Sequence, residues 1–319
     1  MKIICNGSIA YDYLMTFPGH FKDHIIPDRL DTISLSFLVD SMVRQRGGVS
    51  PNIAYTLALL GEKPYLMGTV GEDFGDYRTW LEAQGIDCSL VKVIAGEYTA
   101  SFFANTDLSN NQICSFYTGA MAYAASYSLD VLTEKPDLVV ISPNDPTGMD
   151  NYVKECQQKG YAYLYDPSQQ IIRLDGEQLK RGVMGAQSLF VNEYEFELIQ
   201  KRTGLTPDEI RGAVDVLVVT LGEKGSVIYS KGRTYQIPVV PPEKIVDPTG
   251  VGDAYRGGFI KGICMGADLQ VCGQLGSVAA AYCLEQRGTQ THSYTIEAFA
   301  ARYQKHFGDQ GVLNALLNK

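Results

Sequence analysis

The residues best suited to chemistry lie in one short stretch, residues 247–253, which reads Asp-Pro-Thr-Gly-Val-Gly-Asp. A largely small and apolar segment follows, which predicts a turn that leads into the N-terminus of a buried helix. Unpaired backbone N–H groups converge at such a terminus and favour an anion, and the glycines let the backbone approach a phosphate closely. Asp253 falls in the first turn, so its carboxylate can point into the same space. An anion site beside a carboxylate indicates phosphoryl transfer to a hydroxyl, and an ordinary helix cap is the competing interpretation.

The composition of the whole chain limits the class of protein. A length of 319 residues with 45% apolar side chains is typical of one large α/β domain. The net charge of −9 argues against nucleic acid and anionic membranes as partners, since both require a basic face. The start of the chain lacks a signal-peptide pattern, and the seven scattered cysteines form no C-x-x-C pair. We therefore expect a cytoplasmic protein with reduced thiols and one domain over residues 1–319.

Apolar runs that resemble strands alternate with helical segments along most of the chain. Residues 2–8 predict a buried first strand, with Asp12 just beyond its end, and the alternation continues to a closing helical layer. This order predicts a doubly wound, mostly parallel sheet flanked by helices. Ligands in such folds bind beyond the carboxyl ends of the strands. Polar clusters follow four of the predicted strands, at residues 144–145, 166–170, 192–195 and 220–225.

Three other stretches alternate polar and apolar side chains, which is the pattern of half-buried antiparallel strands. They are residues 31–39, 98–104 and 112–117. We expect them to form a small antiparallel sheet, drawn from about residues 12–46 and 97–119, that acts as a lid on the main domain. A hairpin would bring Phe102 and Phe116 together, where their rings could stack on a flat ligand. Packing between the lid and the body is the alternative for either ring.

Four motifs in this order resemble those of the ribokinase-like (PfkB) kinase family. They are Gly47-Gly48-x-x-x-Asn52, Asn192-x-x-Glu195, Thr220-x-Gly222-x-x-Gly225 and Asp247-x-Thr249-Gly250-x-Gly252-Asp253. The resemblance covers essentially the whole chain, including the lid. Most family members have Thr and Ala where this chain has Pro248 and Val251. At these two positions, and in the segment Asp166-Pro167-Ser168-Gln169-Gln170, this sequence resembles the bacterial adenosine kinases of the mycobacterial type.

The resemblance implies an activity and a role for each matching residue. The activity is transfer of a phosphoryl group from ATP to the 5′-hydroxyl of adenosine, giving AMP and ADP in purine salvage. Asp253 would be the catalytic base, beside an anion hole made by Gly250, Val251 and Gly252. The nucleoside would be bound by Ser8, Asp12, Ser36, Gly48 and Asn52 at the ribose, by Phe102 and Phe116 at the purine, and by Gln169, Gln170 and Arg173 at the base edge or the phosphates. ATP would be bound by Asn192, Thr220, Gly222 and Gly225.

The resemblance also implies metal ions and a homodimer. Glu195 would organise Mg²⁺, through water, and Asp247 would lie at a site for a monovalent cation such as K⁺. For Glu195 the alternative is an ordinary carboxylate on a helix face, and for Arg173 an exposed arginine. An exposed edge of the lid would suit a homodimer, as in other family members.

Two other functions stay open at this point. The chain could phosphorylate a sugar such as ribose, or another nucleoside, although the aromatic lid residues and residues 166–170 favour a nucleoside. It could also bind nucleosides without catalysis, but the intact Asp253 and its glycines argue against this.

Overall fold

The computed structural model describes residues 1–26, 31–32, 34–309 and 311–317. Within these residues the strands are β1 (Ile3–Asn6), β2 (Ala10–Thr16), β3 (Ser41–Gly47), β4 (Tyr65–Val70), β5 (Asp87–Val93), β6 (Ala100–Thr106), β7 (Gln112–Tyr117), β8 (Leu138–Ile141), β9 (Tyr163–Tyr165), β10 (Ser188–Asn192), β11 (Val216–Thr220), β12 (Ser226–Ser230) and β13 (Arg233–Ile237). The helices are α1 (Val49–Leu59), α2 (Gly75–Ala83), α3 (Pro146–Lys159), α4 (Gly176–Val183), α5 (Glu193–Thr203), α6 (Pro207–Ala213), α7 (Val251–Cys264), α8 (Leu269–Leu284), α9 (Ile296–Phe307) and α10 (Val312–Leu317). None of the described helices is long and apolar enough to span a membrane.

Nine strands form one large sheet in the order β13-β12-β11-β10-β9-β8-β1-β4-β5. Every pairing from β11 to β5 is parallel, and the hairpin of β12 and β13 adds two antiparallel strands at one edge. The central strands are buried, as expected for a parallel sheet covered by helices on both faces. The prediction of a doubly wound, mostly parallel sheet is confirmed.

Four strands form a second, small sheet in the order β3-β2-β6-β7. The β2–β3 and β6–β7 pairings are antiparallel, whereas β2 and β6 run parallel. The small sheet is therefore mixed rather than wholly antiparallel, because β2 enters it directly from β1 of the large sheet. As a result Asp12, which follows β1 as predicted, lies within β2 and not in a surface loop.

The predicted strand over residues 31–39 is wrong for the residues that the structure describes. Residues 34–39 have no regular structure, and Ile33 lies outside the described residues. The ring of Phe37 packs instead on Phe17 and Phe21, with ring centroids 5.1 and 5.0 Å apart. The strand that joins the small sheet is β3, whose side chains are mostly exposed, so it has no apolar alternation by which the sequence could reveal it.

Glycines allow α7 to lie unusually close to its neighbours. A Cβ atom at Gly258 would lie 2.5 Å from the carbonyl oxygen of Leu275 in α8, and one at Gly257 would lie 2.6 Å from Cβ of Thr56 in α1. Only residues without a side chain permit this approach. These contacts fix α7 between α1 and α8, and thereby the position of its N-terminus.

Candidate functional site

The N-terminus of α7 carries the acidic residue of the glycine-rich motif. Gly250 precedes the helix with φ +77°, where a Cβ atom would lie 2.7 Å from Cγ2 of Thr289. Asp253 is only 9% exposed and accepts hydrogen bonds from Nδ2 of Asn52 (2.8 Å) and from Arg256 (3.1 Å). Burial raises the pKa of Asp253, and the Arg256 charge and the Asn52 hydrogen bond oppose that rise. The two motifs that contain Asn52 and Asp253 thus meet, although they are 201 residues apart.

Arg256 also binds a second buried carboxylate, that of Asp166. Its guanidinium donates to Oδ1 of Asp166 at 2.7 Å, while Oδ2 is buried without a protein partner. Burial raises the pKa of Asp166 to about 7; Arg256 opposes the rise, and the charges of Glu195 and Asp253 add to it. One guanidinium therefore serves two buried carboxylates. Sequence reasoning placed Asp166 only in the polar cluster of residues 166–170 and gave Arg256 no role, although a position three residues after Asp253 lies on the same helix face.

The small sheet brings a row of side chains to the same face. Gln45, Asp12, Phe102 and Phe116 are register partners across its four strands, and directly paired residues point to one side of a sheet. Phe102 and Phe116 therefore pair as the sequence predicts. Burial, followed by the nearby charge of Asp247, raises the pKa of Asp12 to about 6. Asp12 and two aromatic rings thus share one surface.

Gly47 and Gly48 join the small sheet to α1. A Cβ atom at Gly47 would lie 2.5 Å from Oδ2 of Asp12, so the carboxylate lies against this backbone. Gly48 has φ +97°, and Oγ of Ser8 accepts a hydrogen bond from the N–H of Val49 at 3.3 Å. The pair of glycines permits both the unusual backbone conformation and the close approach of Asp12.

We expect Gly48→Ala to lower the free energy of unfolding by about 3 kcal/mol or more, because strain at positive φ adds to a steric overlap. The new Cβ atom would lie 2.5 Å from the carbonyl oxygen of Ser8, which is backbone and cannot rotate away. Denaturant unfolding measures the change. Gly61→Ala is the matched control: its φ is +81° with nothing within 4 Å of a Cβ atom, so only a strain of about 1–2 kcal/mol is expected. Equal losses in both variants would contradict the overlap.

The candidate ATP-binding residues lie at the ends of two adjacent strands. Asn192 at the end of β10 is the register partner of Thr220 at the end of β11. Asn192 caps α5 in a capping box with Glu195, with both hydrogen bonds 2.8 Å long. The other oxygen of Glu195 accepts from Ser168 at 3.2 Å. Gly222 and Gly225 adopt φ +59° and +89° in the turn that follows β11.

The remaining predicted residues differ in their surroundings. The two carboxylate oxygens of Asp247 accept from the N–H groups of Thr249 (2.9 Å) and Gly288 (3.0 Å). Burial alone would raise the pKa of Asp247, but these hydrogen bonds outweigh it and hold the pKa below its ordinary value. Ser36 is exposed next to Phe37, beyond the outer end of β2, so the structure does not bring it to Asp12. Gln169 and Arg173 are exposed and Gln170 is half-buried, in a 3₁₀ turn and its cap after β9.

Comparison with known proteins identifies the family. The profile of the pfkB family carbohydrate kinases matches residues 10–296, so the chain belongs to that family. It is 31% identical to a nucleoside kinase of Methanocaldococcus jannaschii over 310 residues, which cover 96% of this chain and 97% of the other. The structure of a Burkholderia thailandensis nucleoside kinase in complex with inosine superposes with a TM-score of 0.86, 38% identity and 97% coverage of both chains.

A more distant similarity extends the fold assignment. Ribokinase from Thermotoga maritima superposes with a TM-score of 0.79 at 22% identity, covering 95% of this chain and 99% of the other, which shows the shared fold alone. The predicted membership of the ribokinase-like (PfkB) family is confirmed.

Proposed function

We propose that this protein is an ATP-dependent nucleoside kinase that phosphorylates the 5′-hydroxyl of adenosine, giving AMP and ADP. The observation that carries the proposal is the Asp253 carboxylate at the N-terminus of α7, hydrogen-bonded to Asn52 of the other motif. Asn192 and Thr220 of the two ATP-type motifs end adjacent strands of the large sheet, and Asp12 lies in the small sheet beside Phe102. The similarity to two nucleoside kinases over nearly the whole chain supports a nucleoside as the acceptor.

In the proposed mechanism, Asp253 accepts the proton of the attacking hydroxyl. The transition state of phosphoryl transfer is loose, so proton transfer comes late and the orientation of the hydroxyl matters more than the basicity of Asp253. The N–H groups of Gly250, Val251 and Gly252 would stabilise the charge on the migrating phosphoryl group. Loss of one such donor typically lowers kcat by about 10²–10³-fold.

On the nucleoside side, Asp12 would bind the ribose diol, together with Ser8, Gly48 and Asn52. A site built for a diol rejects 2′-deoxyribosides, because it would leave a buried carboxylate unpaired. Phe102 and Phe116 would stack on the purine from the face that they share with Asp12. Gln169, Gln170 and Arg173 would contact the base edge or the phosphates once the small sheet closes as a lid, and the same closure would bring Ser36 nearer.

Carboxylate oxygens and phosphates are the donors that Mg²⁺ prefers, and Glu195 with the free Oδ2 of Asp166 offers that chemistry on the ATP side. Bound Mg²⁺ would neutralise phosphate charge, and Glu195 would hold it through water. The lowered pKa of Asp247 keeps its carboxylate ionised, which suits a monovalent cation such as K⁺ beside Gly288.

Inosine is the second candidate acceptor, because the Burkholderia relative was solved in complex with inosine. Thermal shift with adenosine, inosine, ribose and fructose separates the alternatives, since a ligand at 100 times its Kd adds about 2.7 kcal/mol. Stabilisation by adenosine together with adenosine-dependent ADP release is the expected result. Stabilisation by ribose alone would contradict a nucleoside acceptor, and adenosine binding without ADP release would contradict catalysis.

We expect nucleoside affinity to fall by up to about tenfold between pH 7.5 and pH 5. Asp12 has a pKa of about 6, so it is ionised at pH 7.5 and largely protonated at pH 5, where it loses acceptor capacity for the diol. Calorimetric titration with adenosine at both pH values measures the change. Asp12→Asn is the control: its affinity should be lower at pH 7.5 and nearly independent of pH. An unchanged pH dependence in this variant would rule out Asp12 as the titrating group.

The small sheet would also support a homodimer, because Met42 and Ile113, which are 61% and 42% exposed, lie in one register row on the face opposite to that of Asp12. Sedimentation of the wild type and of Met42→Lys tests this. A dimer that Met42→Lys dissociates is expected, and a monomeric wild type at assay concentration would contradict it.

A further inference from the structure

A chain of buried hydrogen bonds runs from Asp253 to the backbone at the base of the small sheet. Nδ2 of Asn52 donates to Asp253 (2.8 Å), and Oδ1 of Asn52 accepts from Nε2 of Gln290 (2.7 Å). The same Nε2 donates to the hydroxyl of Tyr77 (2.6 Å), which donates to the carbonyl oxygen of Gly47 (3.0 Å). Asn52 and Gln290 are each 5% exposed and Tyr77 is fully buried, so these partners decide how each group is oriented.

The direction of every hydrogen bond in this chain is imposed by its two ends. The carbonyl of Gly47 can only accept, so Tyr77 uses its one proton there and offers lone pairs to Gln290. Gln290 must therefore turn its NH₂ group, and not its oxygen, toward Tyr77. Since this NH₂ group also faces Asn52, Asn52 must meet it with its oxygen. The NH₂ group of Asn52 then points at Asp253, which in its ionised form only accepts.

The loop that carries Gln290 is held in place on both sides. Oγ1 of Thr289 donates to the carbonyl oxygen of Arg46 (3.2 Å), and the hydroxyl of Tyr55 donates to the carbonyl oxygen of His292 (2.7 Å). The loop thus lies between β3 and α1, outside all the sequence motifs. Its attachment keeps Gln290 at a fixed distance from Asn52.

We propose that Gln290 is a positioning residue for phosphoryl transfer, which acts by holding the amide of Asn52 in the orientation that donates to Asp253. Without the donor of Gln290, the buried oxygen of Asn52 loses its hydrogen-bond partner, and only Asp253 still orients the amide. An acceptor at position 290 would also compete with Asp253 for the NH₂ group of Asn52. Either change weakens the donor that holds Asp253, so Asp253 would move away from the hydroxyl that it orients. The inference rests on the proposed role of Asp253 as the base.

The variant Gln290→Glu tests the inference, because it keeps the shape of the side chain and replaces the NH₂ donor with an acceptor. We expect kcat to fall by about 10- to 100-fold, with the KM for ATP little changed. The acid limb of the kcat profile should also move to higher pH, because Asp253 loses a hydrogen bond that lowers its pKa. The negative charge of the new Glu would raise that pKa as well. The uncharged Gln290→Met variant therefore shows whether loss of the hydrogen bond alone moves the acid limb.

Two further variants cover the case in which a buried Glu prevents folding, and a third serves as the control. Gln290→Met has a similar length and no charge, and should show the same loss of kcat and the same shift. Tyr77→Phe leaves the hydrogen bond from Gln290 to Asn52 intact but removes the hydroxyl that orients the Gln290 amide. We therefore expect a smaller fall in kcat, of about three- to tenfold. Gln274→Glu is the matched control, since Gln274 is 4% exposed and its Oε1 accepts from Tyr303, as a carboxylate also can. Its kcat should stay within twofold of the wild type.

If Gln290→Met folds and its kcat and acid limb match those of the wild type, the inference is overturned. If both Gln290 variants fail to fold, a Tyr77→Phe variant with the kcat of the wild type would overturn it. Asp253→Asn keeps the two hypotheses apart. If Asp253→Asn is inactive while the Gln290 and Tyr77 variants are normal, the inference fails and the proposed function stands. If Asp253→Asn is active, the proposed role of the base fails instead.

Discussion

Asp253→Asn is expected to lower kcat with adenosine by about 10²–10⁴-fold, the range that a general acid–base residue typically contributes. The amide keeps the size of the side chain at the N-terminus of α7 but cannot accept the proton of the hydroxyl. It would also place an NH₂ group against either Asn52 or Arg256, which now both donate to the carboxylate. Steady-state kinetics measure the loss, and calorimetry should show adenosine affinity within a few-fold of the wild type.

A matched variant separates the loss of the base from the loss of a buried charge. Asp150 in α3 is also a largely buried aspartate, and it pairs with Lys154 at 2.6 Å and with Arg181. Asp150→Asn should lower stability without a change in kcat beyond twofold. Activity of Asp253→Asn within a few-fold of the wild type would refute the assignment of the base.

Arg256→Met is expected to lower the free energy of unfolding by about 3–5 kcal/mol near pH 8, the typical cost of removing one partner from a buried ion pair. Asp166 and Asp253 would be left as buried carboxylates without their cation. The raised pKa of Asp166 gives the sign of the pH dependence. The folded state binds a proton more tightly than the unfolded state, so this contribution to stability is present at low pH and is lost as the pH rises through about 7. Removal of Arg256 strengthens this pH dependence, because the cation no longer opposes the rise in the pKa of Asp166. The loss of unfolding free energy in Arg256→Met should therefore be smaller at pH 5.5 than at pH 8.

Two further variants check the cause by denaturant unfolding. Asp166→Leu added to Arg256→Met removes one of the stranded carboxylates and should recover part of the lost stability. Arg302→Met removes another partly buried arginine, which pairs with Glu285 at 2.6 Å. Its loss of stability should be similar at pH 5.5 and pH 8, because the pKa of Glu285 lies below its ordinary value. If Arg256→Met loses the same stability at both pH values and the second substitution recovers none of it, the carboxylates are not the cause.

Local patterns in the sequence were sufficient for several parts of this protein. The start of α7 was predicted because Gly250 and the apolar segment after it act over a few residues. The pairing of Phe102 with Phe116 was predicted for the same reason, since β6 and β7 are joined by a short turn. The local alternation over residues 31–39 was misleading, because residues 34–39 form no strand and Phe37 packs on Phe17 and Phe21.

The sequence by itself determined the chemistry of this protein: the motifs contain a carboxylate, glycines that expose N–H groups, and polar residues after the strands. Only the tertiary structure decided which of these groups meet and which further groups control them. Arg256 reaches Asp166 across 90 residues of chain, and Gln290 reaches Asn52 across 238. Such partners are set by the close packing of α7, α1 and the loop before α9, where a buried donor or acceptor must be satisfied by whatever group folding brings beside it. No pattern confined to neighbouring residues contains that information.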